Sequence, residues 1–161
     1  MGLFDSLKEA FSTSPEWVGK RFEKFVIDKF DDHFSIVERT HSFKTNQERF
    51  VESSLNPDYV LRHIPTKSEF AIEVKYRSKL NKGMLHWSNP AQLERYREFA
   101  KNRKIPVYIV IGFGGEIEED PADMFLIPLE EAKYPALYPS VFQQFSRNPN
   151  KNFYWKNGKL Y

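Results

Sequence analysis

Residues 69–77 read Glu69-Phe70-Ala71-Ile72-Glu73-Val74-Lys75-Tyr76-Arg77, and the alternation within them decides the fold. Successive side chains of a strand leave on opposite faces. Phe70, Ile72, Val74 and Tyr76 therefore share one face, and Ala71, Glu73, Lys75 and Arg77 share the other. Glu73 and Lys75 project together from a strand rich in strand formers. Two readings fit that pair: an ion pair on a solvated face, or the polar floor of a site. The preceding residues bear on the choice. Asn56-Pro57 opens a second strand from Asp58 to Ile64, and Pro65-Thr66-Lys67-Ser68 is a turn. If the chain reverses there, Asp58 comes level with the Glu73–Lys75 region, and directly opposed residues lie about 4.5–5.5 Å apart. Two carboxylates then converge beside one ammonium. Carboxylates that close raise one another's pKa unless a cation joins them, and hard oxygen ligands suit magnesium.

Upstream, Ser14-Pro15 is a cap followed by proline in a first helical turn. A helix is expected over 15–30, with Val18, Phe22, Phe25, Val26 and Phe30 at helical spacing. Glu23 falls inside its apolar arc, either as an edge residue reaching water or as a paired or coordinating carboxylate. Gly19, one turn earlier, allows a close approach. Residues 33–40 form a strand alternating Phe34, Ile36 and Glu38 against Ser35, Val37 and Arg39, and 41–56 form a polar loop. Downstream, a loop holds Gly83 and His86-Trp87. Ser88-Asn89-Pro90 caps a helix running to about Arg103. In it Gln92, Tyr96, Phe99 and Arg103 form one row; Gln92 is either a boundary amide or one that orients a water or phosphate oxygen. Pro106–Gly112 and Asp123–Leu129 are further strands, a short helix is expected over 139–146, and Asn157-Gly158 centres a hairpin. The order α-β-β-β-α-β defines an α/β fold with a mixed central β-sheet flanked by helices.

The 161 residues suit one domain spanning 1–161, with 40% apolar and 29% charged residues. With no cysteine, disulfide frameworks and thiolate metal sites are excluded. No apolar run approaches the roughly 18–20 residues that span a bilayer, and no signal peptide opens the chain, so no membrane partner and a cytoplasmic location are expected. Leu3, Leu7, Ala10 and Phe11 mark a short amphipathic lead-in helix. Net charge is only +2, yet residues 75–104 carry nine basic against two acidic side chains, a local +7. That block is either a polyanion-binding surface or a solvated helix face beside the acidic stretch 116–123. His86-Trp87 could stack on a base or pack its own loop. The four histidines lack metal-ligand spacing. The aromatic C-terminal hairpin suits a homo-oligomer contact as well as a cover for its own core.

In order, the chain presents Gly19-x-x-x-Glu23, Pro57-Asp58, Glu73-Val74-Lys75 and Gln92-x-x-x-Tyr96. Over about residues 15–112 this resembles the PD-(D/E)xK nuclease superfamily, particularly its RecB-like exonuclease branch; residues 113–161 are an elaboration outside the shared pattern. The resemblance implies a restriction-endonuclease-like core (αβββαβ) and a nuclease hydrolysing nucleic acid, DNA in the first instance, with magnesium or manganese. By the same resemblance Asp58, Glu73 and the Val74 carbonyl ligate the metal, and Glu23 binds the metal or its water. Lys75 positions or polarises the attacking water, while Gln92 and Tyr96 support the substrate. Arg77, Lys79, His86 and Trp87 are added as substrate contacts. The rival reading is a non-catalytic nucleic-acid or protein interaction module that kept the fold.

Overall fold

The computed structural model of the chain describes residues 15–40, 56–115 and 120–161. The expected lead-in helix, the Ser14 cap, the loop 41–55 and Glu116, Glu118 and Glu119 of the acidic stretch lie outside the described residues. Helix α1 (Pro15–Ile27) is followed by strands β1 (Phe34–Arg39), β2 (Tyr59–His63), β3 (Ser68–Arg77) and the short β4 (Leu85–His86). Next come helix α2 (Pro90–Arg103), β5 (Val107–Phe113), β6 (Asp123–Pro128) and β7 (Ala136–Leu137). A helical turn α3 (Pro139–Phe142) runs into a tighter turn at Gln143–Phe145, then β8 (Ser146–Arg147), β9 (Trp155–Lys156) and β10 (Lys159–Leu160).

Six strands form one mixed sheet in the order β1-β2-β3-β5-β6-β8. β3 and β5 are parallel and every other pair is antiparallel. Parallel neighbours need a crossover, and α2 supplies it. Each face of the sheet carries its own apolar layer. Phe22 and Val26 of α1 cover Leu61, Phe70, Ile72 and Val110, while Leu93, Tyr96 and Phe99 of α2 cover Val60, Ala71, Ile109 and Ile111. The alternation in β3 is thus resolved: its Phe70 face meets α1 and its Glu73 face meets α2. β5 is buried on both sides, which its unbroken apolar run requires. A Cβ on Gly112 would lie 2.4 Å from the Phe22 ring, so only glycine lets α1 sit this close to β5.

Three elements depart from the sequence reading for local reasons. α1 stops at Ile27 instead of 30, because the amides of Lys29 and Phe30 bond three residues back, at 3.0 Å each, and tighten the last turn. Phe30 then stacks on Phe153 at 4.4 Å. In β1 the alternation breaks: Ile36 opposes Leu61 and Glu38 opposes Val60, leaving Val37 as the extra residue of a bulge. Leu61 and Val60 belong to opposite layers, so the bulge moves Glu38 to the α2 side. There Arg103 grips it with two hydrogen bonds, 2.7 and 3.1 Å long. The expected helix over 139–146 is shorter, Pro139–Phe142 and then the tighter turn. At the C-terminus the hairpin forms as read, with Asn157 and Gly158 both at positive φ.

Candidate active site

The site begins with backbone. Tyr59 pairs with Ile72, and continuing that register places Asp58 opposite Glu73. Thr40 fixes the approach: its N–H donates to the Asp58 carbonyl at 2.9 Å, and its hydroxyl donates to the Pro57 carbonyl. Asp58 and β3 then exchange two bonds. The Asp58 N–H donates to Glu73 Oε2 at 3.1 Å, and the Val74 N–H donates to Asp58 Oδ2 at 2.8 Å. An extended residue directs its N–H and its carbonyl to the same edge, so the Val74 carbonyl also looks toward Asp58. Lys75 Nζ lies 3.1 Å from Glu73 Oε1. The structure therefore brings together Asp58, Glu73, Val74 and Lys75.

Glu73 is the only buried charged residue described, at 4% exposure. A carboxylate so enclosed needs donors, and two hold it, the Asp58 N–H and the Lys75 amine, with the Tyr96 hydroxyl facing it. The charge imbalance shows on its neighbours. Asp58 is held well above the usual carboxylate range, first by burial and then by the Glu73 charge, with the Val74 N–H pulling the other way. Tyr96 is likewise pushed up, by burial first and then by Glu73. Two carboxylates and a strand carbonyl against a single amine make an oxygen-rich, electron-rich set, which fits a hard divalent cation such as magnesium or manganese.

Glu23 stands apart. α1 covers the sheet face opposite to the one bearing Glu73, and Glu23 takes a hydrogen bond from the Tyr59 hydroxyl, which points to the α1 side. The oxygens of Glu23, Asp58 and Glu73 do not gather within 4.8 Å; among the described residues only the exposed Asp31, Asp32 and His33 make such a group, on the turn after α1. Glu23 still acts on Asp58 through its charge, adding to the upward shift.

The proposed substrate contacts divide. Trp87 is fully buried, its indole N–H donates to the Tyr134 carbonyl at 2.8 Å, and its ring stacks on Tyr96 at 6.1 Å. No base can reach it; it packs the loop and backs Tyr96. Tyr96 is itself 1% exposed, so it meets Glu73 and not a substrate. Arg77 spends its guanidinium on the carbonyls of Tyr76, His86 and Trp87. Lys79 and His86 are exposed. Gln92 is half-buried in the first turn of α2, where the Asn89 side chain caps its N–H at 2.8 Å. The sequence reading missed Tyr59. It is the neighbour of Asp58 on a strand, so it had to face the other way, toward the helix that carries Glu23.

A mixed sheet between two helices, with its polar residues where β2 and β3 adjoin, is a restriction-endonuclease-like fold. It is shared with Archaeoglobus fulgidus Hjc, a Holliday junction resolvase from an archaeal hyperthermophile, at a TM-score of 0.54 and 21% identity, covering 78% of this chain and 93% of that one. No family model matches the sequence, and no curated protein matches it.

Proposed function

We propose that this chain is a divalent-metal-dependent nuclease that hydrolyses phosphodiester bonds in DNA. The observation that carries the reading is the reciprocal lock of Asp58 and Glu73 across β2 and β3, with the Lys75 amine 3.1 Å from Glu73. The fold shared with a Holliday junction resolvase supports it. Asp58, Glu73 and the Val74 carbonyl would hold magnesium, with manganese able to substitute. When bound, the ion supplies Lewis acidity and an activated water.

The chain's own groups do the rest. Lys75 holds a positive charge beside the place where a phosphate gains negative charge, in a partly dry setting that strengthens it. Glu73 keeps that ammonium in position. Tyr96 faces Glu73 and keeps it in position, and Trp87 backs Tyr96 by stacking on its ring. Glu23, released from Tyr59, is the further acidic group available to orient a water. Gln92, one turn ahead of Tyr96 in the first turn of α2, offers an amide to a phosphate oxygen. The RecB-like affinity rests on the ordered set Gly19-x-x-x-Glu23, Pro57-Asp58, Glu73-Val74-Lys75 and Gln92-x-x-x-Tyr96, whereas the resolvase likeness favours internal cutting of branched DNA.

A panel of labelled linear, circular, single-stranded and four-way-branched DNAs, incubated with magnesium, tests the reading. Cleavage of at least one, lost in Lys75→Ala and in Asp58→Asn, is expected. Equal cleavage by parent and both variants would falsify this site. A parent that binds these DNAs without cutting any would favour the interaction-module reading.

A further inference from the structure

Beyond the carboxylates, β3 continues into an open cleft of about 520 Å³ lined by Arg77, Lys79, Leu80, Asn81, Lys82 and His86. We propose that this cleft is a phosphate subsite, holding the sugar–phosphate backbone of the DNA strand next to the bond being cut; it rests on the nuclease reading above.

Charge comes first. From residue 74 to residue 93 the chain carries Lys75, Arg77, Lys79 and Lys82 and not one Asp or Glu. Among the described residues neither Lys79 nor Lys82 has an acidic partner. Both are exposed. Lysine is a compact point charge that suits a phosphate oxygen. An apolar Leu80 and the Asn81 amide between the two lysines give the cleft a surface for a sugar.

Position comes second. Arg77 follows Lys75 by two residues on the same face, roughly 6.6 Å along the strand at the usual rise. The Arg77 guanidinium also feels the Glu73 charge. The cleft therefore opens directly off the candidate centre, along the axis of β3.

Rigidity comes third. Asn81 and Met84 exchange N–H···O bonds of 2.9 and 3.0 Å around Lys82 and Gly83, which sit at φ 52° and 73°. Two successive left-handed residues are the tight two-residue hairpin turn, and they fix where Lys82 projects. The far end of the loop is tied by Arg77 to the carbonyls of His86 and Trp87, and by Leu85 pairing with Leu137. The Trp87 N–H adds a bond of 3.0 Å to the Pro135 carbonyl. A loop ordered in advance loses little freedom on binding. Leu80, Leu85 and Trp87 anchor the loop to the core, while its basic side chains Lys79 and Lys82 are left facing solvent.

The test is the salt dependence of DNA binding in EDTA, read by fluorescence anisotropy with labelled duplex and single-stranded oligonucleotides. Each phosphate contact contributes about 0.9 to the log–log slope for duplex and about 0.7 for a single strand. Lys79→Gln/Lys82→Gln should flatten the duplex slope by roughly 0.9 to 1.8. At the upper value, the deficit against the parent shrinks about twelvefold between 50 and 200 mM salt. Lys156→Gln/Lys159→Gln removes the same charge from the C-terminal hairpin and should change the slope less than half as much. Manganese binding by calorimetry should be the same in the parent and the cleft variant. Equal slopes in the cleft variant and the hairpin variant overturn the subsite while leaving the nuclease reading intact. A parent that neither binds nor cuts DNA overturns both.

Discussion

Removing one oxygen atom, with Tyr96→Phe, should cost stability out of proportion to its size. The ring is 1% exposed and stacked on Trp87, and phenylalanine preserves that packing. What disappears is the hydroxyl that faces Glu73 and would donate to it. Glu73 is buried and has two other donors, the Asp58 N–H and the Lys75 amine, each at 3.1 Å. A hydrogen bond to a charged group contributes about 1.5–3 kcal/mol. For a chain of this length each kcal/mol moves the melting temperature by about 2–4 °C, so a fall of roughly 3–12 °C is expected. Scanning calorimetry at neutral pH without metal reads it directly. The same variant should lower kcat more than it raises KM, because Glu73 and Lys75 lose a reference point while the DNA-binding surface is untouched. A melting temperature within about 1 °C of the parent, together with unchanged kcat, would refute the idea that Tyr96 holds Glu73.

Two further outcomes follow from the same geometry. Asp58 has its folded pKa raised by burial and by Glu73, so its contribution to stability is complete below the unfolded value of about 3.9 and is lost as pH rises through the folded value. Asp58→Asn keeps an oxygen for the Val74 N–H; its stability relative to the metal-free parent should therefore grow from mildly acidic to neutral pH in urea titrations. A difference that stays flat or shrinks would contradict the assignment. The Arg103–Glu38 fork, about 40% exposed at both side chains, is worth only about 0.2–1 kcal/mol after screening. A double-mutant cycle with Arg103→Ala and Glu38→Ala should return a coupling of that order that weakens with salt, and zero coupling at low salt would mean the bulge in β1 has no such partner in solution.

The parts legible in the sequence were those governed by a period. Alternation in 69–77 separated Phe70 and Ile72 from Glu73 and Lys75, and the turn holding Pro65 was legible, although it spans residues 64–67, one residue earlier than read, and this register brings Asp58 to Glu73. The apolar run 106–112 and the Asn89-Pro90 cap were equally local signals. Trp87 was not legible as a buried residue, because its burial depends on a carbonyl at Tyr134, 47 residues away. Nothing near a loop tryptophan states whether a distant segment will cover it. The bulge at Val37 was hidden for a related reason. A strand pattern such as Phe-Ser-Ile-Val-Glu-Arg is compatible with strict alternation, and only the competition between Leu61 on one face and Val60 on the other decides where the extra residue goes.

Glu23 shows where periodic reasoning ends. A helical wheel says which side of α1 is apolar, and it correctly turns Glu23 inward. It does not say which face of the sheet that side will meet. β3 has two faces, each with its own layer, and the carboxylate that matters lies on the one α1 does not cover. To reach Asp58 and Glu73, Glu23 must come from the opposite side of the sheet, and Tyr59 intercepts it. The side chain of Tyr59 faces α1 because that of Asp58 faces α2; adjacent residues on a strand cannot do otherwise. The same alternation that delivers Asp58 to Glu73 thus delivers the hydroxyl that holds Glu23 back.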